Sequence, residues 1–391
     1  MLATERHDLI LREVRTRGLV RLAELADRLG VSPVTVRRDV ADLEEQGLVT
    51  RVHGGVAPPR SPAAALGAAS AGAGGQGAGV TPAGAGGPAA AGAAVPAGSP
   101  LSATRSGESL TLGMLVPSAT YYYPEVIRGA RAAAARLGAR LVLGISRYEP
   151  AEERAQVEQL LVGGVDGLLV TPCRALDAPG QNLAWLADLD LPAVLVERRA
   201  ALGSGLEHLD HVATDHAYGG HLAVRHLAAL GHRDILFVAR GDSPTTPRVR
   251  AGYEAALRSL GLNGPPMIET LAFEHDPETF GASLDPAIAT IREGGATAVV
   301  VHNDQDALVL VQKLRSSGFK LPGDVSVVAY DDEVAALADT PLTAVAPPKH
   351  AVGQAAVEFL VGRITEGEDR PHHHLDLLPQ LRLRDSCGSV V

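Results

Sequence analysis

The chain has 391 residues, a formal charge of −10 and 46% hydrophobic content, so it is long enough for two or three units with large buried cores and is not a miniprotein needing staples. Its two cysteines, Cys173 and Cys387, are too few and too far apart for a disulfide framework or a metal cluster, which fits a reducing compartment such as the cytoplasm. The first thirty residues are broken by Glu5, Arg6, Asp8 and Arg12, which excludes the apolar stretch of an export signal, and no run is long enough to span a membrane.

Three helical patterns open the chain, Arg6 to Thr16, Arg21 to Leu29 and Pro33 to Gln46, each with Leu, Ile or Val at i, i+3, i+4 spacing. Gly30 ends the second pattern, Ser32 can N-cap the third and Pro33 stands at its first helical position, a tight helix-turn-helix. Thr35, Arg38 and Asp42 share one face of the third helix, with Val36, Val40 and Leu43 on the other. Arg37 and Arg38 suit phosphate and guanine, and charge pairing with Asp39, Glu44 and Glu45 is the plainer reading of the same residues. After Gly47, LVTRV and HGGV read as a two-stranded wing that carries Arg51 and His53.

From about Ala57 to Gly107 the sequence is almost wholly Ala, Gly, Pro and Ser, a composition that cannot bury enough surface to offset its ordering entropy. It reads as a flexible linker, giving units over 1–56, 57–109 and 110–391.

Beyond the linker, apolar runs alternate with helical ones, from LGMLV and PEVIRGARAAAARLG through DGLLVTP, PAVLVE and DILFVAR to TAVVV and VSVVAYD. The alternation is that of βαβ units and parallel sheets, arranged either as one doubly wound sheet or as two lobes across a cleft. Ligands of such sheets sit outside the carboxyl ends of the strands, where Asn303 and Asp304 follow TAVVVH, Glu197 and Arg198 close PAVLVER, and Asp215 ends HVATD. Helix capping by Asn303 or Asp304, and a cap or a hinge ion pair at Glu197, Arg198 or Asp215, are the competing roles. Tyr122 and Tyr123 lie in a run of three tyrosines after the first strand, in a chain with only 3% aromatic residues, and helix packing is the alternative there.

The stretch from Glu5 to Val56, centred on GVSPVTVRRDVADLEEQGLVTRVHGGV, resembles the DeoR-family winged helix-turn-helix. The resemblance implies DNA contact by Ser32, Pro33, Thr35, Arg37 and Arg38, with Arg51 to Gly55 as the wing. The remainder departs from the DeoR effector domain. TLGMLVP with YYYPEVIRGA, VATDHAYGGHLAVRHLAALGHRDILFV, VVVHNDQDAL, and VSVVAYDD followed by TPLTAV resemble, in order, the periplasmic-binding-protein-like sensor of the LacI/GalR family. That resemblance implies an α/β fold of two lobes with parallel sheets, a homodimer, and a small-molecule effector in the interlobe cleft, a sugar above others. It also implies a ligand-binding Arg three residues before the Gly252-Tyr253 pair, where Val249 stands between Arg248 and Arg250, and a short hinge helix that the long linker replaces.

The expected partners are therefore operator DNA and a sugar, with no cofactor, no metal and no membrane. His216, His221 and His226 recur every five residues, off a common helix face, and His372 to His374 have no cysteine partners, so neither set reads as a metal site. No G-x-G-x-x-G follows a strand, and neither a Walker A sequence nor a G-x-S-x-G elbow occurs, which argues against an enzyme. An exported solute-binding protein and a sugar-modifying enzyme are the competing classes. The helix-turn-helix opposes the first, and the missing catalytic constellation opposes the second.

Overall fold

The computed structural model describes scattered positions between residues 6 and 57, and then residues 109–174, 184–200, 202–271 and 277–390. Ser32, Pro33, Arg37, Arg38 and His53, and the linker residues 58–108, lie outside the described residues. The chain divides into two units, Met1–Ser99 and Pro100–Val391.

In the first unit, helical positions at 6, 7, 9–11, 13 and 14, at 25 and 28, and at 35, 36, 39, 40 and 43 bring Ile10, Val14, Leu25, Val36, Val40 and Leu43 into one small core with Val20 and Val49. Their i, i+3 and i, i+4 spacing is what puts them on inward faces. Asp39 also faces inward: Arg6 clamps it through Nε at 2.7 Å and Nη2 at 3.0 Å, and His7 stands 3.4 Å away. The Arg6 hydrogen bonds hold the Asp39 carboxyl below its ordinary range. Asp39 is thus tied to the first helix and does not serve as a solvated partner for its neighbours.

The expected two-stranded wing has a third strand. β2 (Thr50–Val52) pairs with β3 (Gly55–Ala57), and β1 (Val20–Arg21) pairs with the other side of β3. Arg21 is therefore extended, not the start of a helix, because burying Val20 opposite Val56 extends the sheet inward to the core.

The second unit contains two six-stranded sheets. Lobe one is built from β4 (Thr111–Val116), α1 (Tyr123–Arg136), β5 (Arg140–Ile145), α2 (Pro150–Val162), β6 (Gly167–Val170), α3 (Ala184–Ala187), β7 (Ala193–Val196) and β8 (Asp210–Thr214). The chain crosses at Asp215 into lobe two: α4 (His216–Ala229), β9 (Ile235–Arg240), α5 (Thr246–Leu260), β10 (Ile268–Thr270), α6 (Pro277–Ser283), α7 (Asp285–Arg292), β11 (Ala298–His302), α8 (Asp304–Ser316), β12 (Ser326–Tyr330) and β13 (Thr343–Ala346). It returns through Pro347-Pro348 to α9 (Lys349–Glu366) and β14 (His374–Leu377), and crosses a third time to β15 (Gln380–Arg382).

Lobe one has strand order β14-β8-β7-β6-β4-β5, parallel throughout, and lobe two has β10-β9-β11-β12-β13-β15, parallel except for the last pair. The central strands are buried on both faces, which explains their unbroken Val, Leu and Ile runs. Among the described residues, no helix is long and apolar enough to cross a membrane.

Each lobe has one pair of helices packed backbone to backbone through glycine. A Cβ at Gly129 of α1 would lie 1.9 Å from the His350 carbonyl oxygen of α9, and one at Gly353 of α9 would lie 1.9 Å from that of Val126. In lobe two, Gly252 of α5 faces the Ala217 carbonyl at 1.7 Å and Gly220 of α4 that of Val249 at 2.2 Å by the same measure. Glycine costs helix stability, so its presence at four positions in these two crossings is a packing requirement. Gly353→Ala is expected to destabilise the folded chain by about 1–3 kcal/mol. Gly281→Ala in α6, where a Cβ would meet nothing within 4 Å, is expected to be neutral or slightly stabilising. Denaturant melts of the two variants check this contrast, and equal midpoints would refute it.

Candidate functional site

Because both sheets are parallel, the carboxyl ends of their strands carry loops toward the crossovers that join the lobes. Non-glycine residues rarely adopt positive φ, and all six described here that do so follow the carboxyl end of a strand: Tyr122 (63°), Arg147 (53°), Tyr148 (62°), Glu197 (55°), Asp331 (82°) and Asp332 (56°). Strained backbone concentrated at one place marks a functional site.

Glu197, after β7, is the hub of the lobe-one rim. It is buried and accepts from Tyr122 Oη at 2.6 Å, Thr214 N at 2.9 Å and Thr214 Oγ1 at 2.9 Å, and His216 Nε2 lies 3.5 Å away. Burial works to raise its carboxyl, but the facing His216 and the donated hydrogen bonds prevail and hold it at about 2. His216, first residue of α4, has its Nδ1 3.1 Å from Tyr330 Oη. The polar chain Tyr122, Glu197, His216, Tyr330 therefore runs from one lobe into the other at the first crossover. His302 stands beside Tyr330 with ring centroids 5.4 Å apart, and burial lowers its imidazole to about 3.

The lobe-two rim contributes two carboxylates. Asp304 is fully buried and accepts from Val334 N at 2.5 Å, Ala335 N at 2.9 Å and, across the cleft, Tyr121 Oη at 2.6 Å. Asp331, after β12, receives the same hydroxyl at 3.1 Å. Burial pushes its carboxyl up to about 7 against the attraction of Lys349, with Asp304 and Glu333 adding to the rise. Lys349, first residue of α9, donates to the Asp331 carbonyl and to Glu333, and its Nζ lies 5.1 Å from the centre of the Tyr122 ring. Asp306 is clamped by Arg240 at 3.0 and 3.1 Å, which ties the first turn of α8 to the end of β9.

The sequence-derived residues fall into distinct roles. Asn303 caps α8 by accepting from Asp306 N at 3.1 Å, so Asp304 is left for the cleft. Asp215 caps α4 through Tyr218 N at 2.9 Å, and its own amide donates to Leu377, joining the first and third crossovers. Arg198 bonds the Pro172 and Glu197 carbonyls, both at 2.8 Å, and braces lobe one. Tyr122 reaches the hub, whereas Tyr123 is buried in the lobe-one core and meets Tyr122 edge to face. Arg250 is exposed and pairs with Glu254 on its own helix at 2.7 Å, and Arg248 is also exposed.

Tyr121, Asp331, Lys349 and Tyr330 go unnamed by the sequence reading. The signals for them are the AYDD at the end of an apolar strand, the first tyrosine of the triple run, and the lysine that follows Pro347-Pro348. In the first unit, Thr35 is a half-buried helix residue, and Arg51 lies in β2 opposite Val56.

A two-lobed sensor with its polar groups at the mouth between parallel sheets, and a helical unit with a small β wing, define a one-chain regulator. A DeoR-like helix-turn-helix domain family matches residues 6–61, and a periplasmic binding protein-like domain family matches residues 224–387. The chain is 31% identical over 287 residues to the HTH-type transcriptional repressor PurR of Vibrio parahaemolyticus serotype O3:K6, covering 72% of this chain and 82% of that one. The PurR of Haemophilus influenzae strain PittEE is 29% identical over 75% of this chain and 87% of its own. Among solved structures, a complex of the transcriptional regulator CelR with cellobiose is 28% identical, with a TM-score of 0.60 over 71% of this chain and 84% of that one. A LacI transcriptional regulator from a Rhodococcus species is 27% identical, with a TM-score of 0.58 over 71% and 98%. The chain belongs to the LacI family of transcriptional regulators, and it carries a DeoR-like helix-turn-helix at its N-terminus.

The Asp331 carboxyl gives the sensor a signed pH dependence. Its folded value of about 7 lies above the ordinary 3.8, so between these limits the folded state holds the extra proton and stability contributed by this group falls as pH rises. Glu197 acts oppositely, stabilising above 4.5 and losing that effect as pH falls toward about 2, a range that meets the Asp331 window only at its acid edge and is common to parent and variant. Asp331→Asn is expected to gain melting temperature over the parent as pH goes from 4 to 8. Parallel melting curves across that range would contradict the assignment.

Proposed function

We propose that this chain is a cytoplasmic repressor that binds operator DNA through residues 1–56, pairs two such units by dimerisation of residues 110–391, and responds to a sugar bound between the lobes. Residues 57–109 act as a tether, so the two functions communicate through dimer geometry and effective concentration. Ser32, Pro33, Thr35, Arg37 and Arg38 face the major groove, and Arg51 and His53 the adjoining backbone.

The observation that carries the effector reading is the convergence of Asp304 and Asp331 on a single hydroxyl, Tyr121 Oη, at the carboxyl ends of two parallel sheets. A carboxylate pair that accepts from a phenol has the chemistry to accept from a sugar hydroxyl. The CelR relative is a cellobiose complex, which supports the same ligand class.

Arg38→Ala is expected to weaken operator binding and to reduce the slope of log affinity against log salt by about 1, with sugar binding unchanged. Fluorescence anisotropy on DNA from upstream of the chain's own gene measures this, and parental affinity and salt slope would remove Arg38 from the interface. A thermal-shift screen of mono- and disaccharides, sugar phosphates and nucleosides tests the effector. Stabilisation by an unphosphorylated sugar that is lost in Asp331→Ala supports the cleft. Stabilisation confined to sugar phosphates or nucleosides would overturn the ligand class.

A further inference from the structure

The two rim carboxylates are held differently. Asp304 Oδ2 is taken by the Val334 and Ala335 amides, which fix that group whatever else enters the cleft. Asp304 Oδ1 and Asp331 Oδ2 face one donor between them, Tyr121 Oη, at 2.6 and 3.1 Å. That donor belongs to the opposite lobe, in the segment between β4 and α1.

The backbone is arranged to deliver it. Tyr122 has a φ of 63°, and the Tyr123 amide donates to the Tyr121 carbonyl at 2.7 Å, forming a tight local turn. The turn sends three adjacent rings to three destinations: Tyr123 into the core, Tyr122 to Glu197, and Tyr121 across to Asp304 and Asp331. Asp331, at a φ of 82°, is strained at the receiving end. Strain on both sides of one contact is unexpected for incidental packing, since each such residue needs surrounding structure to hold it.

We infer that Tyr121 is a built-in stand-in for the effector, a latch whose hydroxyl occupies the oxygens of Asp304 and Asp331 that a ligand hydroxyl must take and so holds the ligand-free lobes together. This rests on the cleft reading above and adds its regulation. The effector then binds by displacement: one hydroxyl leaves the carboxylates as another arrives, and the gain from that exchange is small. A phenol has a single proton and donates to one carboxylate at a time. A ligand with two neighbouring hydroxyls satisfies both, so exchange selects vicinal diols over ligands with a lone hydroxyl.

The test compares the full ligand-free chain with Tyr121→Phe, which removes the hydroxyl and keeps the ring. Hydrogen exchange at neutral pH is expected to be at least tenfold faster in the variant over residues 117–122 and 331–337, with strands β4 and β12 unchanged. Equal exchange over those segments would overturn the latch, and faster exchange throughout both lobes would do so too, by showing a general loss of structure. The second arm titrates ribose, xylulose and cellobiose into both proteins by calorimetry. The latch predicts roughly tenfold tighter binding to the variant of any of these that binds the parent, and weaker binding would overturn it by making Tyr121 a ligand contact. If none binds either protein, the effector reading fails for these sugars, and the exchange result still decides the latch.

Discussion

The relative placement of the two rims depends on one buried carboxylate. Glu197 is held ionised out of water, and a charge in that position persists only when partners surround it. Its partners are Tyr122 and Thr214 from lobe one and His216 from the first turn of lobe two. Through His216 the chain of contacts reaches Tyr330, whose successor is Asp331. Gly219 makes room for this, since a Cβ there would stand 2.2 Å from Tyr330 Oη. The joint between the sheets is therefore polar and directional, and it aims the end of β12 at the cleft. An apolar joint would permit sliding that this one resists, because moving it leaves a buried charge with fewer partners.

Around that joint, packing sets what is rigid. The glycine contacts of α1 with α9 and of α4 with α5 bring helix backbones together on the outer layers, one pair per lobe. Parallel pairing then places the polar termini of the strands at the same end of each sheet. Of the two rim carboxylates, Asp304 is fixed by two backbone amides, whereas the Asp331 side chain accepts from Tyr121 Oη. The contact from Tyr121 to both of them spans the gap between the lobes.

Much of the architecture is legible in the sequence because double-sided burial leaves a plain mark. AVLV, ILFVAR, AVVVH and SVVAY are continuous apolar runs separated by helical patterns, and the structure has a strand at each. The short edge strands IET, HLDL and QLR carry no such mark, since an edge strand of three or four residues has no period to read. Val20–Arg21 is hidden for a related reason: two extended residues beside a helical pattern look like its first turn. At the cleft, the strand-end rule singles out Asp304 and Glu197, yet it cannot separate cap from ligand, and the structure gives the cap to Asn303. Asp331 and Tyr121 escape because their roles depend on three-dimensional convergence of residues 210 positions apart. Arg250 shows the converse, a family position whose neighbouring residue is drawn into an ordinary pair with Glu254.

The proposed function requires that a sugar bound between the lobes changes DNA binding by residues 1–56. The most direct measurement is operator affinity of the intact chain, by anisotropy, with and without a saturating concentration of whichever sugar stabilises it, together with sugar affinity with and without operator. Linkage requires the two ratios to agree, and a common factor of roughly 5 to 150 is expected. Ratios of one in both directions, with both ligands bound, would show that the two units share a chain without sharing a signal.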